Sequence, residues 1–335
     1  MQELVNLLSR ARRDGLVSGE PVRILPASSG PLNEMRVIEC ADGSRYYWKR
    51  FLDRSDLAWL EHPAERMRVE ARALDAFRPL LSPDIRLPIV LLEDETNHVL
   101  LLSDVSAGDG GNWQDLFLAG NPEISLDAAD RLGTAFAKLA DSAPDRSLRC
   151  SFEADAAHWE KWLRLRTIKV LENDPPVSEA SKRAVADLYE DARVHVGQRL
   201  MHVDFIPKNI VVSNNAGGLV DFELATASGD AASEFGFFLG HIGLLLLNRS
   251  STASPAWSKI LDRIAMSYAS LSQPDDVQQR RTMRYAGAAI LYRLAGVFRG
   301  TFLDPRAAAR QLALAERLLI EGPSIRDYAG VLTTQ

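Results

Sequence analysis

The 335-residue chain has little cysteine. Cys40 and Cys150 are the only two, too few for a disulfide framework or a thiolate metal cluster, which predicts a reducing, cytoplasmic setting. Long apolar runs are missing too. The stretch Met1 to Leu8 is broken by charge and lacks the core of a signal peptide. The most apolar segment, Phe235 to Leu247, carries glycines and His241 and is too short to cross a bilayer, so it reads as a buried helix and no membrane partner is expected. Dense basic runs and aromatic platforms are absent, which argues against a nucleic-acid partner. The net charge is −6, and the twelve Lys and Arg from Arg249 onward against seven Asp and Glu make only a mildly basic tail. There are no repeats and no low-complexity segments. What remains is 46% hydrophobic and 25% charged, the composition of a globular chain long enough for two cored lobes.

Against this plain background one stretch is dense in chemistry. Met201-His202-Val203-Asp204-Phe205-Ile206-Pro207-Lys208-Asn209 reads His-x-Asp-x-x-x-x-Asn, and Val220-Asp221-Phe222-Glu223 follows after a short turn. The apolar runs Asn209 to Val212 and Gly218 to Phe222, separated by Ser213 to Gly217, predict a hairpin with Asn209 entering one strand and Asp221 leaving the other. Phosphoryl transfer from a nucleotide needs a carboxylate at the accepting hydroxyl and oxygen ligands for Mg²⁺ between the phosphates. Asp204 fits the first role, and Asn209 with Asp221 fits the second. The plainer alternative makes Asp204 a loop cap and Asp221 a turn residue.

These motifs resemble those of the aminoglycoside phosphotransferase family, within the wider choline-kinase-like and protein-kinase-like fold. That family carries His-Gly-Asp-x-x-x-x-Asn and then Asp-x-Glu; this chain departs from it at Val203, where the family has Gly. The resemblance implies an α+β, bilobal fold, with a small antiparallel-sheet N-lobe over residues 1–105 and a larger, mainly helical C-lobe over residues 106–335. Local patterns agree. An amphipathic helix is expected over residues 1–20, strands at Val22–Leu25, Met35–Ile38, Tyr46–Lys49, Leu87–Leu92 and His98–Leu102, and a helix from Glu65 to Phe77. Asp42-Gly43 marks a hairpin turn, and Ser106 to Gly111 has linker composition.

The resemblance also implies a nucleotide site for ATP or GTP with Mg²⁺. Lys49 would meet the phosphates, held by Glu70 on the following helix, with Glu65 as a rival partner. The loop Pro26 to Asn33 would cover the phosphates through Gly30, although one glycine makes a weak Gly-rich loop, and Asn33 matches a family position just after it. Ser103 and Val105 would offer main-chain groups to the base. His202 is expected to brace its loop. Glu234 is expected to be structural, and Glu223 either orients the metal loop or faces solvent.

The expected activity is transfer of a nucleoside triphosphate's γ-phosphate to a hydroxyl of an antibiotic or metabolite, by a monomer or homodimer. The acceptor would lie against the insert Phe152 to Arg199, with Trp159, Trp162, Arg164 and Arg166, and the late helix Arg284 to Arg293. The basic tail argues against a multiply charged amine as acceptor, while surface arginines without a ligand are an equal reading. A catalytically silent kinase-like binding module is the alternative from another class. A protein kinase is disfavoured by Asp-Phe-Glu in place of Asp-Phe-Gly and by the lack of an Ala-Pro-Glu activation segment.

Overall fold

A computed structural model of the chain describes residues 2–27, 30–57, 60–106, 110–120, 124–142, 156–173, 176–197, 199–213, 216–248, 255–295 and 304–333. A sheet with one helix on each face builds the N-terminal part. Strands β1 (Pro21–Pro26), β2 (Asn33–Cys40), β3 (Arg45–Phe51), β5 (Val90–Asp94) and β6 (Val99–Ser103) form an antiparallel sheet in the order β1-β2-β3-β6-β5. Side chains alternate across a strand, and this sheet uses both faces. Trp48, Val99 and Leu101 pack with Leu4, Leu7, Leu8 and Ala11 of helix α1 (Gln2–Arg13). Phe51, Leu100 and Leu102 point the other way, toward Met67, Leu74 and Phe77 of helix α2 (Pro63–Leu81). The period of two therefore puts Lys49 on the α2 face, opposite Trp48.

The helical part is larger. It comprises α3 (Trp113–Ala119), α4 (Leu126–Asp141), α5 (Ala156–Arg166), α6 (Ile168–Leu171), α7 (Glu179–Val194), α8 (Ala231–Leu247), α9 (Pro255–Ser272), α10 (Asp276–Ala295), α11 (Ala308–Glu321) and α12 (Tyr328–Thr333). Set into it is a second sheet, β4 (Ile85–Arg86), β9 (Ala216–Leu219), β8 (Ile210–Ser213) and β7 (Gly111–Asn112), in the order β4-β9-β8-β7. The predicted motif hairpin is β8 and β9, paired from Ile210↔Leu219 to Ser213↔Ala216. This is the bilobal α+β fold the sequence implied. The linker residues Ala107 to Asp109 and the loop residues Ser28 and Ser29 lie outside the described residues.

Three boundaries differ from expectation, each for a backbone reason. α1 stops at Arg13 because Gly15 takes a left-handed conformation (φ 69°) and the N–H groups of Gly15 and Leu16 close onto Arg12 and Ala11 carbonyls. The strand expected over Leu87–Leu92 begins only at Val90, as β5, after Pro88, which has no N–H for a ladder. β9 ends at Leu219, short of Phe222, because Asp221 turns left-handed at φ 71°.

α8 is apolar all round and buried from Ala232 to Leu247, as a helix at the centre of a core must be. Among the described residues no helix is long and apolar enough to cross a membrane. α8 meets α10 backbone to backbone: a Cβ at Gly236 would lie 2.4 Å from the Thr282 carbonyl oxygen, and one at Gly240 2.5 Å from that of Ala286. Gly240→Ala should therefore destabilise the fold by about 1–3 kcal/mol through overpacking. Gly330→Ala, where a Cβ meets nothing within 4 Å, should leave urea unfolding curves essentially unchanged.

Candidate active site

The hairpin, α2 and β3 bring five charged side chains together in the interior. Lys49 is 3% exposed; its Nζ donates to Glu70 Oε2 and, at 2.6 Å, to Asp221 Oδ1. Burial works against its charge, yet Asp221, Glu70 and Glu223 keep its basicity well above the ordinary value. Four residues before Glu70, on the same face of α2, Arg66 donates to Glu223 Oε2 at 2.9 Å and to the carbonyl oxygens of Leu32 and Leu52. Asn33 completes this second brace, its Nδ2 donating to Glu223 Oε1 at 3.1 Å. Asp221 and Glu223 are thus two prongs from one turn, gripped by cations from β3 and α2. Sequence reasoning left Glu223 open and missed Arg66. The available signal was the spacing of Arg66 and Glu70, which places both on one helical face.

Of the other residues assigned to the nucleotide, Asn33 is engaged in the brace rather than with Lys49. Gly30 is exposed, and a Cβ there would meet nothing. Ser103 ends β6, where its Oγ accepts the Ile89 N–H at 2.8 Å, and Val105 packs against Gly218 of β9. None of these three touches the charged group in hydrogen bonds. The rival Glu65 is an exposed partner of Arg68, 3.7 Å away, while Glu70 is buried, so the choice between them is settled by burial.

The second constellation surrounds Asp204. Its carboxylate is 6% exposed and meets three donors: Arg166 Nη2 at 3.1 Å on Oδ1, and Lys208 Nζ at 2.8 Å and Asn209 Nδ2 at 3.1 Å on Oδ2. Burial pushes the carboxyl up, but Lys208, Arg166 and Arg293 together hold it well below the usual carboxylate range. These cations favour its ionised form. Asn209 also donates to the Asp204 carbonyl at 2.8 Å, so both known contacts use its NH₂ and the amide oxygen is left as its acceptor end. That oxygen and the Asp221 carboxylate are hard donors of the kind Mg²⁺ prefers. Among the described residues no three His, Cys, Asp or Glu side chains could hold a metal by themselves. A Mg²⁺ ion held by these two side chains would take the rest of its octahedral shell from water and phosphate oxygens.

Val203, the departure from Gly, adopts φ 69°. Left-handed backbone is costly for a β-branched residue, by about 1–2 kcal/mol, so something must hold it. Three contacts do. The Val203 N–H donates to Glu234 Oε2 at 3.1 Å, the Phe205 N–H to Oε1 at 3.4 Å, and the Val203 carbonyl accepts from Arg166 Nη1. The Val203 side chain is buried, which offsets the strain. His202 is buried and neutral. Its Nδ1 accepts the Asp204 N–H at 3.3 Å, which leaves Nε2–H to donate to the Val220 carbonyl at 3.1 Å. Burial lowers its pKa to about 4, so it braces the loop as the neutral imidazole and carries no charge at neutral pH. Glu234, expected to be structural, is the anchor of the same loop.

Burial pushes Glu234 up to about 7 from an ordinary 4.5, against the pull of the Val203 and Phe205 amides and Arg166. An acid whose folded pKa is raised loses stability as pH climbs from the unfolded value through the folded one. Wild-type stability relative to Glu234→Gln should therefore decline between about pH 4.5 and 7. Urea melts at intervals across that window test the sign; a difference that grows with pH would refute it.

Of the insert residues offered for an acceptor, Trp159 and Trp162 belong to the core, and Arg164 is exposed near Glu172. Arg166 alone reaches Asp204. From the late helix, Tyr285 bonds Asp230 and is buried, whereas Arg293 donates to His241 Nε2 at 2.7 Å beside the Asp204 group. No curated protein matches the chain significantly in sequence. Among solved structures it is similar to a macrolide 2'-phosphotransferase from Brachybacterium faecium, at 17% identity, TM-score 0.53, covering 95% of this chain and 98% of that one. An amicoumacin kinase solved with AMP-PNP and Ca²⁺ matches at 13% identity and TM-score 0.54, covering 97% of each chain. A microcompartment-associated aminopropanol kinase matches at 14% identity and TM-score 0.52, covering 98% and 99%. At these identities the likeness establishes the fold. The model of the phosphotransferase enzyme family matches residues 24–276, well over half of the sequence, and the chain belongs to that family.

Proposed function

We propose that the protein transfers the γ-phosphoryl group of ATP or GTP to a hydroxyl of a small molecule. The observation that carries this reading is the convergence of Lys49, Glu70 and Asp221 beside Asp204 and Asn209, five side chains drawn from β3, α2 and the motif hairpin. Asp204 accepts the proton of the attacking hydroxyl. The acceptor oxygen bonds to the γ-phosphorus, the bridge to the β-phosphate breaks, and the proton passes from Asp204 to solvent. An ionised Asp204 of low basicity is a weak proton sink, so its chief work is to orient the hydroxyl and take the proton late, as suits a loose transition state. Asn209 and Asp221 would hold Mg²⁺, which neutralises phosphate charge when bound. Lys49, kept protonated and aimed by Glu70, meets the α- and β-phosphates.

Lys208 belongs to this reading although the sequence did not single it out. Its side chain is 39% exposed and lies on Asp204 Oδ2, and its charge also acts on Asp221. It stands between the two carboxylates, where it would counter charge on the group in transit.

Asp204→Asn keeps the shape and removes the proton acceptor. It should lower kcat by roughly 10²–10⁴-fold while Mg·nucleotide affinity changes little. Lys49→Ala should raise the nucleotide KM as well as lower kcat. The check is mass-spectrometric detection of product from Mg·ATP and Mg·GTP with a panel of alcohols, alongside calorimetric nucleotide binding. Equal loss of binding and turnover in Asp204→Asn would remove it from the base's role. Tight nucleotide binding with no transfer would favour a silent binding module, and no nucleotide binding would end the kinase reading.

A further inference from the structure

The Asp204 carboxylate is held by two planar groups, and each of them ties it to the main chain. The Asn209 NH₂ group donates to the Asp204 carbonyl at 2.8 Å and to Oδ2 at 3.1 Å. On the other oxygen Arg166 does the equivalent. Its Nη1 donates to the Val203 carbonyl, and its Nη2 donates to Oδ1 at 3.1 Å. The two carbonyls belong to the peptide groups on either side of the Asp204 Cα, so turning the side chain would disturb both braces. Their origins differ. Asn209 belongs to the loop's own motif, whereas Arg166 ends α5, 38 residues before Asp204.

Arg166 is itself held still. It is 7% exposed, and its guanidinium lies 4.7 Å from the centre of the Phe237 ring and 5.3 Å from that of Trp162. Phe237 stands three residues after Glu234 on α8, on the same helical face. Glu234 takes the Val203 and Phe205 N–H groups, while Arg166 takes the Val203 carbonyl and the Asp204 carboxylate. The Arg166 Nε is buried with no hydrogen-bond partner among the described residues. An unpaired buried donor is costly, and a buried ion pair is weak evidence for stability. Charge alone does not call for this arrangement either, since Lys208 already brings a cation to 2.8 Å from Oδ2. What Arg166 adds is a rigid fork, which an ammonium group cannot reproduce.

We propose that Arg166 is a positioning residue for the transfer reaction: its fork fixes the direction of the Asp204 carboxylate against the left-handed turn before it, so that the acceptor hydroxyl meets it in one orientation. This rests on the kinase reading and adds to it a residue that lies outside both motifs. Arg166 acts through Asp204 and not on the substrate.

The test compares kcat and KM with Mg·ATP and Mg·GTP, using the most readily phosphorylated alcohol of the panel, at a temperature where circular dichroism shows every variant folded. Arg166→Lys keeps the charge but offers one nitrogen to two acceptors. It should lower kcat about tenfold or more, as loss of orientation does, with the nucleotide KM within about twofold of wild type. Arg166→Met keeps an unbranched side chain between the two rings and removes both bonds, and it should lower kcat further. In an Asp204→Asn background, adding Arg166→Lys should change the residual turnover by less than about twofold, because residues that act as one unit are not additive. A merely structural arginine would lower the melting temperature and leave the kcat of the folded enzyme alone. Wild-type kcat in Arg166→Lys, a rise in nucleotide KM as large as the fall in kcat, or the same fold-loss with and without the Asp204 carboxylate would overturn the inference while transfer itself continues. Failure of wild type to phosphorylate any alcohol, or full activity in Asp204→Asn, would instead end the kinase reading and this inference with it.

Discussion

The rest of the structure depends on how one buried lysine is kept charged. Lys49 sits inside the sheet lobe, yet one of its two partners, Asp221, belongs to the hairpin of the helical lobe. Glu70 and Asp221 remove most of the penalty of burying the ammonium group, and Arg66 with Asn33 does the same for Glu223. The two lobes are therefore joined by ion pairs in which neither side is complete alone. Replacing such pairs by apolar side chains is often neutral or stabilising, so their presence points to use rather than to stability. Three carboxylates against two cations leave this group one negative charge in excess, and burial pushes Glu70 and Glu223 upward in response. A divalent cation carried in with a nucleotide would relieve that excess.

Around Asp204 the problem is geometric before it is electrostatic. The backbone just before the carboxylate turns left-handed, and Val203 is badly suited to that turn. Glycine would remove the strain and also the buried isopropyl group, two effects of similar size and opposite sign. The chain retains valine and holds the turn from outside, through Glu234 on α8 and Arg166 on α5. The loop's shape is thus maintained by the helical core, and the helix that carries Glu234 is the most buried in the molecule.

The parts of this arrangement that the sequence reveals are those written in consecutive residues. Asp204, Asn209 and Asp221 share a loop and a hairpin, so their spacing alone brings them together. Lys49 follows from the family resemblance, by its place on the third strand, and Glu70 from that resemblance together with an apolar stripe in α2. Arg66, Arg166 and Arg293 were out of reach as partners because their contacts span 157, 38 and 52 residues. An arginine in a helix looks the same whether it ends in water or on a buried carboxylate. The Val203 departure was visible, but the compensation for it was not, since Glu234 meets that backbone from 31 residues away. Trp159 and Trp162 invited a binding role and proved to be core, as large aromatic residues in a helical insert commonly are.

The charged groups of the two constellations form one series of alternating sign. Moving outward from Lys49, the signs run positive at Lys49, negative at Asp221, positive at Lys208, negative at Asp204, and positive again at Arg166 and Arg293. Neighbouring groups in such a series hold one another in place. A ligand joining it is favoured only if it continues the alternation, and like charges brought together at an interface cost several kcal/mol. At the Lys49 end a metal–phosphate unit would supply both signs at once. The cations that meet Asp204 hold its carboxyl well below the usual carboxylate range, and Lys208 ties that charge to the Asp221 group, so the two constellations act as one electrostatic unit.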